Sequence, residues 1–101
     1  MIESTYTLAQ WRVTSGREAE FVEAWKALGS VFRQLPHPPS GEGLLLQSTA
    51  DPTLHYSFGP WNKVEDIAEM REDATAKAAI QRVMACCDEA QPGGFRVIAR
   101  S

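Results

Sequence analysis

The chain has no long apolar run, no basic stripe and no spaced set of metal ligands, and each absence excludes a class of function. No window approaches the roughly 18 apolar residues that a membrane span needs. Lys and Arg number 10 against 13 Asp and Glu, a net charge of −3 with a pI near 5.3. The cations follow no single face, so neither a nucleic-acid footprint nor attraction to anionic lipid is expected. Cysteine is scarce: the chain has two, Cys86 and Cys87, and they are neighbours. A disulfide between adjacent residues is strained, which argues against a secreted, stapled framework. The two histidines, His37 and His55, stand far apart and no C-x-x-C occurs, so no metal constellation is present. Phosphate-loop and flavin fingerprints are also missing, and no cofactor is expected. The opening Met1-Ile2-Glu3-Ser4-Thr5 carries no basic segment leading into an apolar stretch. The expected location is cytoplasmic.

What is present reads as one globular domain over 1–101, 44% hydrophobic and 23% charged. Four short runs carry strand character. Tyr6 to Val13 sets Tyr6 and Leu8 against Trp11 and Val13; Leu44 to Gln47 is apolar on both faces. Leu54 to Trp61 sets Leu54, Tyr56 and Phe58 against His55, Ser57 and Trp61. A fourth run, Phe95 to Ala99, opposes Phe95 and Val97 to Ile98. Between the first two runs, Ser15-Gly16-Arg17-Glu18 has capping-box spacing. Phe21, Trp25, Leu28, Phe32 and Leu35 then recur at steps of four and three, one apolar stripe of a helix. Burial of each is worth roughly 1.5–3 kcal/mol before entropy, and Trp25 is expected in the core. Pro36 and Pro38-Pro39 end this helix.

Thr49 to Thr53 offers a hairpin turn. Asn62, three residues before Glu65, is a second N-cap candidate, and Asp73 can restart a helix that runs through Ile80, Val83, Met84 and Cys87. Pro92-Gly93-Gly94 is expected to stop it. The order βαββαβ predicts an α+β, ferredoxin-like four-stranded antiparallel sheet with helices on one side. A sheet with one wet face alternates apolar with polar. These strands do not, so the helix-free face is expected to dimerise sheet to sheet into an α/β barrel.

Trp11-Arg12-Val13, followed by Ser15-Gly16-Arg17-Glu18 with Phe21 and Trp25, resembles the opening of the antibiotic biosynthesis monooxygenase superfamily. Ser57-Phe58-Gly59-Pro60-Trp61, with Asn62 to Ile67 and Met70-Arg71 after it, is similar to that family's aromatic-ended strand and short helix. The resemblance spans roughly Tyr6 to Ala99. It implies a dimeric α/β barrel and either cofactor-free oxygenation of aromatic polyketides or haem degradation. At the positions that correspond to the haem-degrading residues, this chain has about Ala9, Met70 and Ile80, which offer no donor.

The expected activity is therefore cofactor-independent monooxygenation of a small aromatic or quinol-like metabolite. His55 and Tyr56 are the candidate catalytic groups, His55 as a general base or hydrogen-bond donor. Trp11, Arg12, Phe58 and Trp61 are the candidate substrate-binding residues, with Arg12 available to an anionic group. The rival reading is a non-catalytic small-ligand binder or stress-associated dimer on the same scaffold; an isomerase or dehydratase is a third. His37, in its proline-rich loop, is expected to be exposed without acidic partners. Cys86 and Cys87 are expected near a helix C-terminus, where the dipole disfavours thiolate.

Overall fold

In a computed structural model that describes residues 4–101, the elements run β1 (Thr5–Val13), α1 (Glu18–Arg33), β2 (Leu44–Gln47), β3 (Leu54–Trp61), α2 (Val64–Glu72), α3 (Ala74–Met84) and β4 (Cys87–Arg96). Met1 to Glu3, the start of the segment read above as leader-free, lie outside the described residues. The strands form one antiparallel sheet in the order β2-β3-β1-β4, the ferredoxin-like arrangement. All three helices cover one face, giving a two-layer slab of 43 × 36 × 18 Å.

Strand alternation sorts the side chains between the layers. On β1, Thr5, Ala9, Trp11 and Val13 are buried toward the helices, as are His55, Ser57, Gly59 and Trp61 on β3. The opposite face carries Tyr6 and Leu8 of β1, Tyr56 and Phe58 of β3, Leu44 and Leu46 of β2, and Phe95 of β4. Leu46 is 50% and Phe95 54% exposed, an uncovered apolar surface of the kind that marks an interface.

The core packs in two clusters, one around Phe21, Trp11, Val13 and Val83, the other around Trp61, Ile67, Met70 and Ala76. Phe21 is fully buried, with its ring against Trp11 at 6.0 Å and His55 at 5.2 Å between centroids.

Several local expectations change. Ser15 does not cap α1. Gly16 adopts φ +91°, its amide donates to the Glu18 carboxylate at 3.0 Å, and Arg17 takes the cap position without a side-chain cap. The turn therefore tightens before the helix, in a conformation that glycine alone adopts freely. Lys63, not Asn62, precedes α2, again without a side-chain cap. Asp73 does cap α3, accepting from the Ala76 amide at 2.8 Å.

The largest difference is β4, which begins at Cys87 and contains Pro92-Gly93-Gly94 instead of following them. It is an outer strand, and an outer strand can hold a proline whose missing N–H leaves the inner ladder intact. Cys86 lies between α3 and β4, and burial pushes its thiol pKa up; Cys87 opens β4, and burial raises its thiol to about 11. His37 is exposed but has an acidic partner, with Nδ1 3.1 Å from Glu69 Oε1.

At the far end of the sheet Arg12 donates to Asp51 at 2.8 Å and to Thr53 Oγ1 at 2.9 Å. Hydrogen bonds from Arg12, then from the Thr53 hydroxyl and amide, lower the Asp51 pKa from 3.8 to about 2. A depressed folded-state pKa adds stability that is complete above the unfolded value and is lost as pH falls from about 4 toward 2. Arg12→Met is expected to raise the Asp51 carboxyl, followed by NMR titration, toward its ordinary range, with the two Thr53 donors still holding it below, and to weaken the pH dependence of the melting temperature across that window. An unchanged Asp51 midpoint would contradict the pairing.

Candidate functional site

Between the helix-covered face of the sheet and the helices lies a cavity of about 970 Å³, at the upper end of the roughly 300–1,000 Å³ typical of ligand pockets. Its floor is made by small residues on paired strands: Thr7 and Ala9 of β1 beside Gly59 and Ser57 of β3. Small side chains there leave the gap that larger ones would fill.

Two tryptophans bracket this floor. The Trp11 indole donates diagonally across the strands to Ser57 Oγ at 2.9 Å, and the Trp61 indole donates back to Thr7 Oγ1 at 3.0 Å. Both rings are only 2% exposed. Each bond satisfies a buried indole N–H and fixes the ring plane. Phe32 of α1 meets Trp61 edge-on at 5.3 Å. Trp25, expected in the core, is half-buried on the cavity wall instead, so all three tryptophans of the chain line the cavity. The helical stripe is wider than the core beneath it, and part of it looks into the gap.

The loop before β2 forms another wall. Ser40 donates its amide to the Pro60 carbonyl at 3.0 Å. A Cβ on Gly59 would stand 3.2 Å from the Gly43 Cα, so a side chain there would push the two backbones apart by a few tenths of an ångström. Lys26, Ser30 and Arg33 of α1, exposed along one helical stripe, and Glu42 of the loop edge the mouth.

The six residues singled out from the sequence divide between the two faces. Trp11 and Trp61 line the cavity; Phe58 borders it, while its ring lies near Tyr6 at 6.3 Å between centroids. His55 is buried beside Phe21, with Nδ1 3.2 Å from the Thr53 carbonyl, and is not among the lining residues. Tyr56 and Arg12 lie on the helix-free face, where the Tyr56 hydroxyl donates to Gln10 Oε1 at 3.2 Å and Arg12 is engaged by Asp51. Ala9, Met70 and Ile80 all reach the lining and supply only carbon, sulfur and no nitrogen donor. Sequence reasoning passed over Thr7, Trp25, Arg33 and Arg71 as site residues. The run of small residues at Thr7, Ala9, Ser57 and Gly59 was the signal that a gap lies above them.

No family model matches the chain, and no curated protein matches it. Solved structures do. A variant of SnoaB, a cofactor-independent oxygenase from Streptomyces nogalater, superposes with a TM-score of 0.82 at 12% identity, covering 96% of this chain and 95% of that one. A protein from Bordetella bronchiseptica provisionally named an antibiotic biosynthesis monooxygenase gives 0.80 at 19% identity, covering 96% and 99%. A conserved protein from Methanosarcina mazei gives 0.77 at 16%, covering 94% and 93%. The chain is thus an α+β protein of ferredoxin-like topology. Its particular fold is that of the antibiotic biosynthesis monooxygenases.

Proposed function

We propose that the chain oxygenates a small, flat aromatic or quinol-like compound with molecular oxygen and no cofactor, inside the cavity between sheet and helices. The observation that carries this reading is the slot itself: a floor of small residues bracketed by hydrogen-bonded Trp11 and Trp61. Fixed indole faces suit a planar ring system. The likeness to SnoaB, a cofactor-independent oxygenase, supports the same chemistry.

A phenolic substrate loses its proton and the electron-rich anion reduces oxygen. The radical pair recombines at the methylene carbon of an anthrone, or at the ring C–H carbon beside an oxygen-bearing carbon of a quinol, and the hydroperoxide loses water to leave a carbonyl. One oxygen atom ends in the product and the other in water. The chain's part is to bind, to orient the ring and to keep the radical pair from bulk water. Trp11, Phe58 and Trp61 are assigned to substrate contact. His55 supports the Phe21–Trp11 packing, and Tyr56 and Arg12 belong to a subunit interface. That interface is the helix-free face, which we assign to a second copy of the chain.

One observation favours a second reading, a binder without turnover: among the described residues the lining holds no His, Tyr or Cys to act as a base. Oxygen uptake separates the two. With anthrones and naphthalene-1,4-diol and no added cofactor, uptake above the buffer rate is expected. Gly29 lines the cavity from α1, and a side chain there first meets the flexible end of Arg33 at 3.4 Å. Gly29→Phe is expected to fill the slot and cut uptake about 100-fold. Its helix should hold or gain up to about 1 kcal/mol. Uptake no faster than buffer across the panel, with binding retained, would leave the binder.

A further inference from the structure

The cavity's charge runs against that of the chain. The protein carries a net charge of −3, yet Lys26, Arg33 and Arg71 line the cavity and Glu42 is its lone carboxylate among the described residues. Among the described residues none of the three cations has an ion-pair partner. Arg33 makes one hydrogen bond, to Ser30 Oγ at 3.1 Å, and neither Lys26 nor Arg71 is hydrogen-bonded through its side chain. Two arginines elsewhere are held by carboxylates, Arg12 by Asp51 and Arg17 by Glu20.

Placement adds to the charge count. Lys26, Ser30 and Arg33 follow one another at helical spacing along the α1 wall. Arg71 borders the cavity from the last turn of α2, beside Gly93 of β4. Two separate elements therefore bring unpaired guanidinium or ammonium groups to one apolar slot. Guanidinium is a bidentate partner for carboxylate, and cations of one sign around a low-dielectric cleft raise the local concentration of anions.

We infer that the substrate is an anion: a flat aromatic compound with a carboxylate substituent, its ring between the tryptophans and its carboxylate held by Arg33 and Arg71. This rests on the aromatic-slot reading and narrows it to a substrate class. The same positive field favours the ionised phenol over its neutral form. The cations thus supply a reason why a cavity without a histidine or tyrosine can promote deprotonation.

The test compares three probes under argon by quenching of tryptophan fluorescence: naphthalene-1,4-diol, its 2-carboxylate and its 2-carboxamide. The carboxamide matches the carboxylate in shape and lacks only the charge. At low ionic strength the carboxylate is expected to bind at least about tenfold more tightly than the carboxamide, with the preference shrinking as salt is added. In the double variant Arg33→Gln/Arg71→Gln, carboxylate affinity is expected to fall to that of the carboxamide. Equal binding of the two by the native protein, or a preference that survives the double variant, would overturn the inference while leaving the aromatic slot standing. Failure of all three probes to bind would overturn the slot reading, and the inference with it.

Discussion

A variant with Leu44→Lys and Leu46→Lys is expected to sediment as an 11.2 kDa monomer at concentrations where the native chain sediments at twice that mass. Both leucines sit on the helix-free face of β2, 45% and 50% exposed in the single subunit. Lysine there costs the isolated fold little, because the side chain already meets water. In a sheet-to-sheet dimer the same two positions lie against a partner. A sheet-to-sheet dimer buries on the order of 2,000 Å², and the four charges placed within it, two from each copy, at about 2 kcal/mol each raise the dissociation constant by about a million-fold. The melting curve of the diluted variant should match that of diluted native protein. A variant that stays dimeric would show that the copies meet elsewhere; a native chain that is monomeric at micromolar concentration would remove the interface altogether.

Phe21→Ala carries the second large effect, a loss of about 3–5 kcal/mol in unfolding free energy. The side chain is fully buried and touches the rings of both Trp11 and His55, so its removal opens a void between α1 and the paired strands. Domains of this size are stable by only about 5–15 kcal/mol, and the variant should unfold at far lower urea. Because Phe21 also braces Trp11, the variant's remaining folded fraction should bind aromatic probes more weakly. A loss under about 1.5 kcal/mol would mean that α1 packs on the sheet by other contacts.

How far the sequence revealed this molecule depended on which forces were local. β2 and β3 have the bounds read from the sequence, because Ser40 to Gly43 and Asp51-Pro52 punctuate short apolar and aromatic runs. The face assignment of Trp11, Ser57 and Trp61 follows from the same two-residue period. β4 was misplaced because helical spacing through Ile80, Val83 and Met84 continues to Cys87, while Pro92 and two glycines look like a stop. Only the position of β4 at the sheet's edge makes that proline tolerable, and sheet position is a tertiary fact. The site divides the same way. Its tryptophan brackets were visible, whereas Trp25, Arg33 and Arg71 were not. Whether a helical stripe touches the sheet or overlooks a gap depends on how far α1 stands from Thr7, Ala9, Ser57 and Gly59.

The account turns on what occupies that gap, and the three tryptophans report on it directly because each lines it. In ¹H–¹⁵N spectra the indole signals of Trp11, Trp25 and Trp61 can be followed while naphthalene-1,4-diol is titrated under argon. The account predicts that all three move together and saturate, while the amides of Leu44 and Leu46 stay in place. Motion confined to the helix-free face, with the three indole signals fixed, would contradict it.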